Sequence, residues 1–369
     1  MISIKPFELE RYFAKYEFST EYLLSSSDCE SLNIRDLLLL EDGAEDRFKD
    51  HWLGYTESSG SPSLRKEICQ LYETTSPEDI LVHSGAEEAI FTLMGAALEP
   101  GDHLIVHWPC YQSLFEVAVS LGCQVSCWKA REENGWTLDP DDLEKMILPN
   151  TRMIVINNPH NPTGYLMSQD TYRRTWEAAN SRGILLFSDE VYRETEYDPA
   201  DRLPAACDLG ENGVSLGVMS KSYGLAGLRI GWIAARNKTL LQKIARIKDY
   251  TTICSSAPSE FLAELALRYR DQLLARNLKI ITSNLEILDR FFLDHQDLFR
   301  WVKPSAGPIA FPKLLQGNAD EFCHQLVTQA GVLLLPGSVF DHPGNHFRIG
   351  FGRANLPDAL ERLETFLNR

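Results

Sequence analysis

The sequence lacks the features that mark several classes of protein. Its eight cysteines include no CxxC pair, and no histidine and cysteine cluster has zinc-site spacing. No lysine- and arginine-rich run occurs, and a net charge of −16, from 36 basic and 52 acidic residues, opposes binding to polyanions. No apolar run approaches the roughly 20 residues that span a bilayer, and the first residues lack the apolar core of a secretory signal. We therefore expect a cytoplasmic protein with reduced cysteines and no metal, nucleic-acid or membrane partner.

Two nucleotide-binding fingerprints are also missing. Lys221-Ser222 has the ending of a Walker A motif, but Ser220 stands where that motif requires glycine. The glycines between residues 224 and 231 are spaced GxxGxxxG, which differs from the GxGxxG of dinucleotide-binding folds. The chemistry of this region must therefore differ from that of a nucleotide site.

The hydrophobic pattern that is present alternates short apolar runs with helical periodicity, in a chain that is 44% apolar and 24% charged. This alternation predicts an α/β fold with a mostly parallel sheet covered by helices on both faces. The predicted strands are 80–82, 104–106, 125–128, 153–156, 184–187, 214–218 and 230–235, and the predicted helices include 86–97, 114–120 and 169–181.

The pattern changes after about residue 240. Helical periodicity dominates residues 259–294, and strand candidates follow at 309–311, 332–335 and 347–351. A chain of 369 residues suits one large and one smaller domain. We predict a large domain at residues 36–275 and a smaller α+β domain formed by 1–35 and 276–369.

Polar side chains follow three of the predicted strands. Asn161 lies in the turn after strand 153–156, Asp189 follows strand 184–187, and Lys221 follows strand 214–218. Taken singly, each has a plainer interpretation as a turn residue, a helix cap or a solvated lysine. Because the carboxyl ends of parallel strands share one edge of a sheet, their recurrence there predicts a functional site.

The segment around the lysine reads Ser220-Lys221-x-x-Gly224-Leu225-x-Gly227-x-Arg229-Ile230-Gly231 and resembles the lysine signature of class I and II aminotransferases. Further segments similar to that family's motifs occur in the family's order over residues 50–355: Tyr55 with Gly60, Leu64 and Arg65; Ser84-Gly85-Ala86; Asn161-Pro162-Thr163-Gly164; Asp189 with Tyr192; Pro336-Gly337-Ser338 with Phe340; and Phe347-Arg348-Ile349-Gly350. The resemblance implies the fold type I of enzymes that use pyridoxal 5′-phosphate (PLP).

The resemblance also implies roles for the residues that hold the cofactor ring. Lys221 would bind PLP as a Schiff base and then act as general base and acid at the substrate Cα. An anionic Asp189 would keep the pyridine nitrogen protonated. Tyr192 and Asn161 would hydrogen-bond the ring oxygen, and Tyr111 would stack on the ring.

The cofactor phosphate is expected at the start of helix 86–97. Backbone N–H groups of Gly85 and Ala86 would bind it, with Arg229 as a charged partner. The family usually has Ser or Gly where this chain has Val218, so one hydroxyl contact to the phosphate is either missing or supplied by Ser84 or Ser220.

Two further roles concern the substrate and the assembly. Arg348, together with Asn161, is expected to bind the substrate α-carboxylate. In similar enzymes the tyrosine that matches Tyr55 reaches the phosphate of the other subunit, which implies a homodimer with shared active sites.

The N-terminal region departs from the family, which often has a glycine-containing stretch there. Residues 25–32 instead read SSSDCESL, either a polar loop with a helix cap or a segment in which Asp28 or Glu30 faces the pocket and favours a cationic substrate. Segments 109–114, 249–252 and 322–326 are also similar to capreomycidine synthase-like enzymes, which cyclise an arginine-derived substrate.

The leading hypothesis is an aminotransferase that moves an amino group from an amino acid to a 2-oxo acid. The alternative is a PLP-dependent lyase or cyclase of the capreomycidine synthase-like kind, since both would use every residue named above. A non-catalytic binding protein is a third possibility, which the intact Lys221, Asp189 and Arg229 disfavour.

Overall fold

A computed structural model describes residues 4–368 of the chain. Within that range the α-helices are α1 Glu8–Tyr16, α2 Ile34–Leu38, α3 Ala44–Lys49, α4 Pro62–Cys69, α5 Ala86–Ala97, α6 Ser113–Ser120, α7 Pro140–Met146, α8 Gln169–Asn180, α9 Ala206–Leu209, α10 Lys238–Lys248, α11 Ala257–Arg268, α12 Arg270–Asp294, α13 Ala319–Ala330 and α14 Leu356–Leu367. The strands are β1 Ile80–His83, β2 His103–Trp108, β3 Gln124–Lys129, β4 Thr151–Asn157, β5 Leu185–Asp189, β6 Gly213–Val218, β7 Gly231–Ala235, β8 Phe299–Arg300, β9 Ile309–Ala310, β10 Lys313–Leu314, β11 Leu335–Pro336 and β12 Phe347–Gly350.

The large sheet has seven strands in the order β1-β7-β6-β5-β4-β2-β3. Strands β2 to β6 pair in parallel, whereas β7 runs antiparallel to both β6 and β1. The predicted mostly parallel sheet is confirmed. A parallel β7 would need a crossover connection, usually a helix that carries the chain back across the sheet. Residues 219–230 contain only a short 3-10 turn, so the chain returns antiparallel.

Side chains of β4 show why both faces of the sheet carry helices. Met153 and Val155 pack with α5, α6 and α10, while Ile154 and Ile156 pack with α7 and α8. Successive residues of a strand point to opposite faces, so a continuous apolar run requires cover on both sides.

Helix starts follow local signals in the sequence. The Ser168 hydroxyl accepts a hydrogen bond from the Thr171 N–H at 3.1 Å, and Asn237 Oδ1 accepts one from the Leu240 N–H at 2.9 Å. Such caps satisfy backbone donors that the first helical turn leaves free. The predicted helix over 169–181 accordingly matches α8 to within one residue.

A second apolar cluster joins the last third of the chain to residues near its start. Leu24 and Cys29 pack with residues of α12, α13 and α14. Gly350 N–H donates to the Leu24 carbonyl at 2.6 Å, and Tyr22 pairs with Val332. A three-stranded antiparallel sheet, β11-β12-β9, lies in this part of the fold. The domain boundaries themselves stay a prediction, and the chosen one at residue 275 falls inside the continuous helix α12.

Two details of the C-terminal prediction change. The helical region 259–294 is two helices separated at Tyr269, and the strand candidate 332–335 is paired as a strand only at Leu335–Pro336. Among residues 4–368, no helix combines the length and apolar composition needed to cross a membrane.

Candidate active site

A cavity of about 430 Å³ lies at the carboxyl ends of β4, β5 and β6. The register aligns Asn157 with Asp189 and Asp189 with Leu216, so the segments that follow these strands meet at one edge. Most of the side chains predicted for the site line this cavity: Ala86, Tyr111, Asn161, Asp189, Tyr192, Ser220, Lys221 and Arg229.

Lys221 lies three residues beyond β6, and its amine enters the cavity. Nζ donates a hydrogen bond to the Ser27 hydroxyl at 2.8 Å. Removal of the amine from bulk water lowers its pKa, and nearby Arg348 acts in the same direction, whereas Asp28 and Asp189 oppose the shift. A lowered pKa makes the neutral, nucleophilic form of an amine more accessible.

Asp189 ends β5 and is 5% exposed. Burial raises the pKa of its carboxyl to about 7, although Oδ1 accepts a hydrogen bond from the Val191 N–H at 3.2 Å. Glu87 raises this pKa further, while Lys221 lowers it. A positively charged group beside Asp189 would favour the ionised form of this carboxyl and would itself be stabilised by it.

The turn after β4 is held by its own amides. Asn157 Nδ2 donates to the Asp189 carbonyl at 3.0 Å, and the Asn161 N–H donates to Asn157 Oδ1 at 2.6 Å. These bonds fix the backbone of Asn161 at the edge of the cavity that Tyr192 also lines. The Tyr192 hydroxyl is buried and makes no hydrogen bond of standard geometry with the described residues; burial raises its pKa, whereas the nearby Ser27 hydroxyl lowers it. We call Asn157, Asn161, Asp189, Tyr192 and Lys221 the sheet-edge floor.

The predicted phosphate-binding turn lies at the start of α5. Gly85 has a φ of +89°, and a Cβ placed there would stand 2.5 Å from Nη2 of Arg229. Glycine therefore permits both the turn and the close approach of the guanidinium. Ser84 does not line the cavity; its N–H donates to Glu88 Oε2 at 2.6 Å, and it faces a neighbouring groove.

Arg348 is 1% exposed and lies behind the floor, outside the cavity lining. Nη1 donates to Asn161 Oδ1 at 3.0 Å, and Nη2 donates to the Ser25 carbonyl at 2.6 Å. Nε has no partner among the described residues. The guanidinium is thus rigidly placed next to the amide of Asn161.

Of the two predicted tyrosines Tyr111 and Tyr55, the first lines the cavity and the second does not. The Tyr111 hydroxyl donates to Glu10 Oε1 at 3.0 Å, and its ring packs against Phe7 with centroids 5.0 Å apart. Tyr55 is 85% exposed and lies outside the cavity of its own chain, beside exposed Trp52 and Leu53.

The two acidic residues noted near the N-terminus have separate surroundings. Asp28 lines the cavity and pairs with Arg353, whose Nη2 lies 3.1 Å from both carboxylate oxygens. Glu30 does not line it, and its Oε2 accepts a hydrogen bond from the Ala354 N–H at 2.8 Å. Val218, at the position where the family has Ser or Gly, lines the cavity.

Several residues that line the cavity were not identified from the sequence. Ser27 contacts the lysine amine, and Glu10, Phe13 and Glu17 reach the cavity from α1. We call α1 together with residues 24–28 the N-terminal wall. The spacing of Glu10, Phe13 and Glu17, at i, i+3 and i+7, places them on one helix face, but a sequence does not show what that face meets. Glu87, in the first turn of α5, also lines the cavity, and burial raises its pKa to about 7.

Comparison with known proteins agrees with this geometry. The model of the family "Aminotransferase class I and II" matches residues 34–363. A solved structure of a PLP-dependent aminotransferase from Streptococcus suis 89-1591 has a TM-score of 0.93 and 33% identity, and the match covers 100% of this chain and 98% of that one.

Two curated relatives carry different names. Capreomycidine synthase from Streptomyces vinaceus is 29% identical over 80% of this chain and 75% of its own length. Aspartate aminotransferase from Geobacillus stearothermophilus is 27% identical over 85% of this chain and 83% of its own. With the family model spanning most of the sequence, the chain belongs to the class I and II aminotransferase family, whose cofactor is pyridoxal 5′-phosphate.

Proposed function

We propose that the protein is an aminotransferase that moves an amino group from an amino acid to a 2-oxo acid. The observation that carries this proposal is the placement of a half-buried lysine amine and a buried carboxylate at one sheet edge, in a single cavity. PLP chemistry requires two groups from the protein. One is an amine that is neutral enough to react, and the other is a carboxylate that pairs with the protonated ring nitrogen.

Three independent observations support the fit of the cofactor to the cavity. The buried Tyr192 hydroxyl has the Ser27 hydroxyl near it but makes no hydrogen bond of standard geometry, so it is available to donate one to a ring oxygen. The raised pKa of Asp189 favours a protonated ring nitrogen as its neighbour. The turn at Gly85, the start of α5 and the Arg229 guanidinium together suit a dianionic phosphate, with Ser220 as a further donor.

When bound, PLP supplies an electron sink for the negative charge that develops at the substrate Cα. In the proposed mechanism Nζ of Lys221 takes the proton from the substrate Cα and holds it for return within the same half-reaction. Asp189 would stabilise the positive charge that makes the sink effective, and Tyr111 would cover one face of the ring. Floor and wall together enclose the reaction, which limits access by water.

We propose that Arg348 and Asn161 bind the substrate α-carboxylate. The two residues are already hydrogen-bonded to each other, so the guanidinium is oriented before the substrate arrives. A planar donor that is fixed in advance places Cα near Nζ of Lys221 and lowers the entropic cost of the reaction.

A PLP-dependent lyase or cyclase is the second candidate, favoured by the similarity to capreomycidine synthase. Such a reaction would begin with the same proton transfer at Lys221. It would differ in what leaves or closes at the substrate side chain.

A half-reaction separates the two candidates. Holoenzyme is mixed with one amino acid in the absence of any 2-oxo acid acceptor. We expect about one equivalent of 2-oxo acid per active site, followed by repeated turnover when a second 2-oxo acid is added. Repeated turnover without an acceptor, giving an eliminated or cyclised product, would refute transamination and support the second candidate.

We also propose a homodimer in which Tyr55 contacts the phosphate bound by the partner subunit. Support comes from its 85% exposure and from its exposed neighbours Trp52 and Leu53, which form an apolar surface next to it. The cytoplasmic location stays a prediction.

A further inference from the structure

The cavity has an excess of negative charge on the side of the N-terminal wall. Five carboxylates line it, whereas the lining cations among the described residues are Lys221 and Arg229. Because those two cations are assigned to the floor and the phosphate, the cavity lining offers the substrate side chain no further positive group.

Four of the five carboxylates have partners or roles of their own. Asp189 belongs to the floor, and Asp28 forms an ion pair with Arg353. Glu87 accepts a hydrogen bond from the Ser113 hydroxyl at 3.2 Å, and its pKa of about 7 leaves it partly protonated near neutral pH. Glu10, from α1, accepts a hydrogen bond from the Tyr111 hydroxyl at 3.0 Å, which leaves Glu17, also from α1.

The negative charge of Glu17 lies where it does not stabilise the fold. It is the C-cap residue of α1, where a negative charge opposes the helix dipole. Burial, Glu10 and Asp28 raise its pKa, while the more weakly acting Arg353 and Lys221 lower it, and its side chain makes no hydrogen bond or ion pair with residues 4–368. A half-buried carboxylate without a partner is electrostatically unfavourable until a cation arrives.

Phe13 lies between Glu10 and Glu17 on the same helix face and also lines the cavity. An aromatic ring provides apolar contact for a methylene chain, and the carboxylates beyond it can bind a charged end.

We propose that the cavity selects amino acids whose side chain ends in a positive charge, with Glu17 as its main binding partner and Glu10 as support. This inference rests on the proposed function, because it names the substrate class of that same site. The α-carboxylate would lie at Arg348, and the extended side chain would pass Phe13 towards α1. A carboxylate side chain would instead meet repulsion from Glu10 and Glu17.

The holoenzyme is tested with matched pairs of substrates. L-Arginine is compared with L-citrulline, and L-lysine with L-norleucine, since the members of each pair are similar in size but differ in charge. L-Glutamate is the anionic probe. We expect kcat/KM for the cationic member to exceed that of its neutral partner by at least about tenfold, with most of the difference in KM.

Substitution of Glu17 tests whether this residue causes the preference for cationic substrates. We expect Glu17→Gln to remove most of the tenfold preference by raising KM for L-arginine, while L-citrulline changes less than about twofold. Glu8→Gln is the control, because Glu8 lies on the same helix, is exposed and does not line the cavity. Thermal unfolding checks the fold, and Glu17→Gln should be at least as stable as the parent because it removes like-charge repulsion.

A binding measurement keeps the inference testable if turnover is absent. The 2-methyl analogues of arginine and citrulline lack the α-hydrogen, so their dissociation constants can be read from the cofactor absorbance without reaction. If no amino acid of any charge class loses its amino group, the proposed function fails; tighter binding of the arginine analogue would still support the inference. If citrulline or glutamate is preferred, or Glu17→Gln keeps the preference for arginine, the inference is overturned.

Discussion

The sheet-edge floor and the N-terminal wall form opposite sides of one cavity but are built in different ways. Floor residues follow parallel strands whose register places Asn157, Asp189 and the end of β6 side by side. Wall residues come from a helix and a loop more than 100 positions away in sequence, and several of their side chains are half exposed. The floor is rigid and buried, as proton transfer requires, whereas the wall can vary without disturbing the sheet.

This difference separates chemistry from selectivity. We expect changes in the floor to lower kcat, because they remove groups that act at the reacting atoms. Changes in the wall should alter KM and the choice of substrate, because they remove contacts made equally in the ground and transition states. Each prediction below tests whether that division holds, starting with the largest effect.

Lys221→Ala should lower the amino-transfer rate on the order of 10⁴-fold, since it removes the general base and acid. Borohydride reduction followed by peptide mass spectrometry should find no cofactor adduct at position 221. Lys243→Ala, at an exposed lysine of α10, is the control and should keep both activity and adduct. An adduct on another lysine, with activity retained, would overturn the assignment of the floor.

Asp189→Asn should lower kcat by about 10²- to 10³-fold, because it removes a buried charge that stabilises the transition state. The raised pKa of Asp189 also predicts that the stability of the cofactor-free protein depends on pH. The folded pKa of Asp189 is about 7, above its ordinary value, so its contribution to stability is present at low pH and is lost as pH rises through about 7.

Cofactor-free Asp189→Asn should therefore be more stable than the parent at pH 8, by on the order of 3 kcal/mol. The difference should shrink as pH falls from 7 to 5, as measured by urea unfolding. The exposed Asp201→Asn is the control. A difference that does not depend on pH would mean that the carboxyl at position 189 does not titrate in this window.

Arg348→Lys should raise KM for amino acids by about 10- to 100-fold with a smaller loss of kcat, because an ammonium cannot reproduce two parallel hydrogen bonds to a carboxylate. Steady-state kinetics measure this directly. Arg362→Lys, on the exposed face of α14, provides the matched control. A pure kcat effect would place Arg348 with the floor rather than with substrate binding.

Tyr55→Phe should weaken cofactor binding by about tenfold, the effect of losing one hydrogen bond to a charged phosphate. Equilibrium dialysis of PLP measures the change, and sedimentation should find a dimer for both proteins. Tyr250→Phe removes a hydroxyl from another exposed tyrosine and should leave cofactor affinity unchanged. A monomeric parent protein would contradict the shared active site.

Much of the floor could be predicted from local sequence. Continuous apolar runs marked β4, β5 and β6, and Asp189 and Lys221 were identified because polar residues directly follow such runs. The glycine at position 85 was likewise readable as a tight turn before a helix. The antiparallel direction of β7 was not, because a strand's apolar pattern does not specify which way it runs.

The wall could not be predicted in the same way. Asp28 and Glu30 stood out in the sequence, yet Asp28 is paired with Arg353 and Glu30 with the backbone of Ala354. Glu17 and Ser27 did not stand out in the sequence. Glu17 faces the cavity without a hydrogen-bond or ion-pair partner among the described residues, and Ser27 accepts a hydrogen bond from the amine of Lys221. A charged residue on a short amphipathic helix looks like a solvated surface group until its neighbours are known.

The sequence by itself determined the strands and helices, the sheet edge where chemistry collects, and the family to which the lysine motif belongs. The strands, the helices and the sheet edge follow from short-range periodicity and from spacing that the backbone geometry fixes, whereas the family was identified by the resemblance of its motifs. Only the tertiary structure decided which carboxylates are neutralised and which remain free, because ion pairs such as Asp28 with Arg353 join residues that are far apart in the chain.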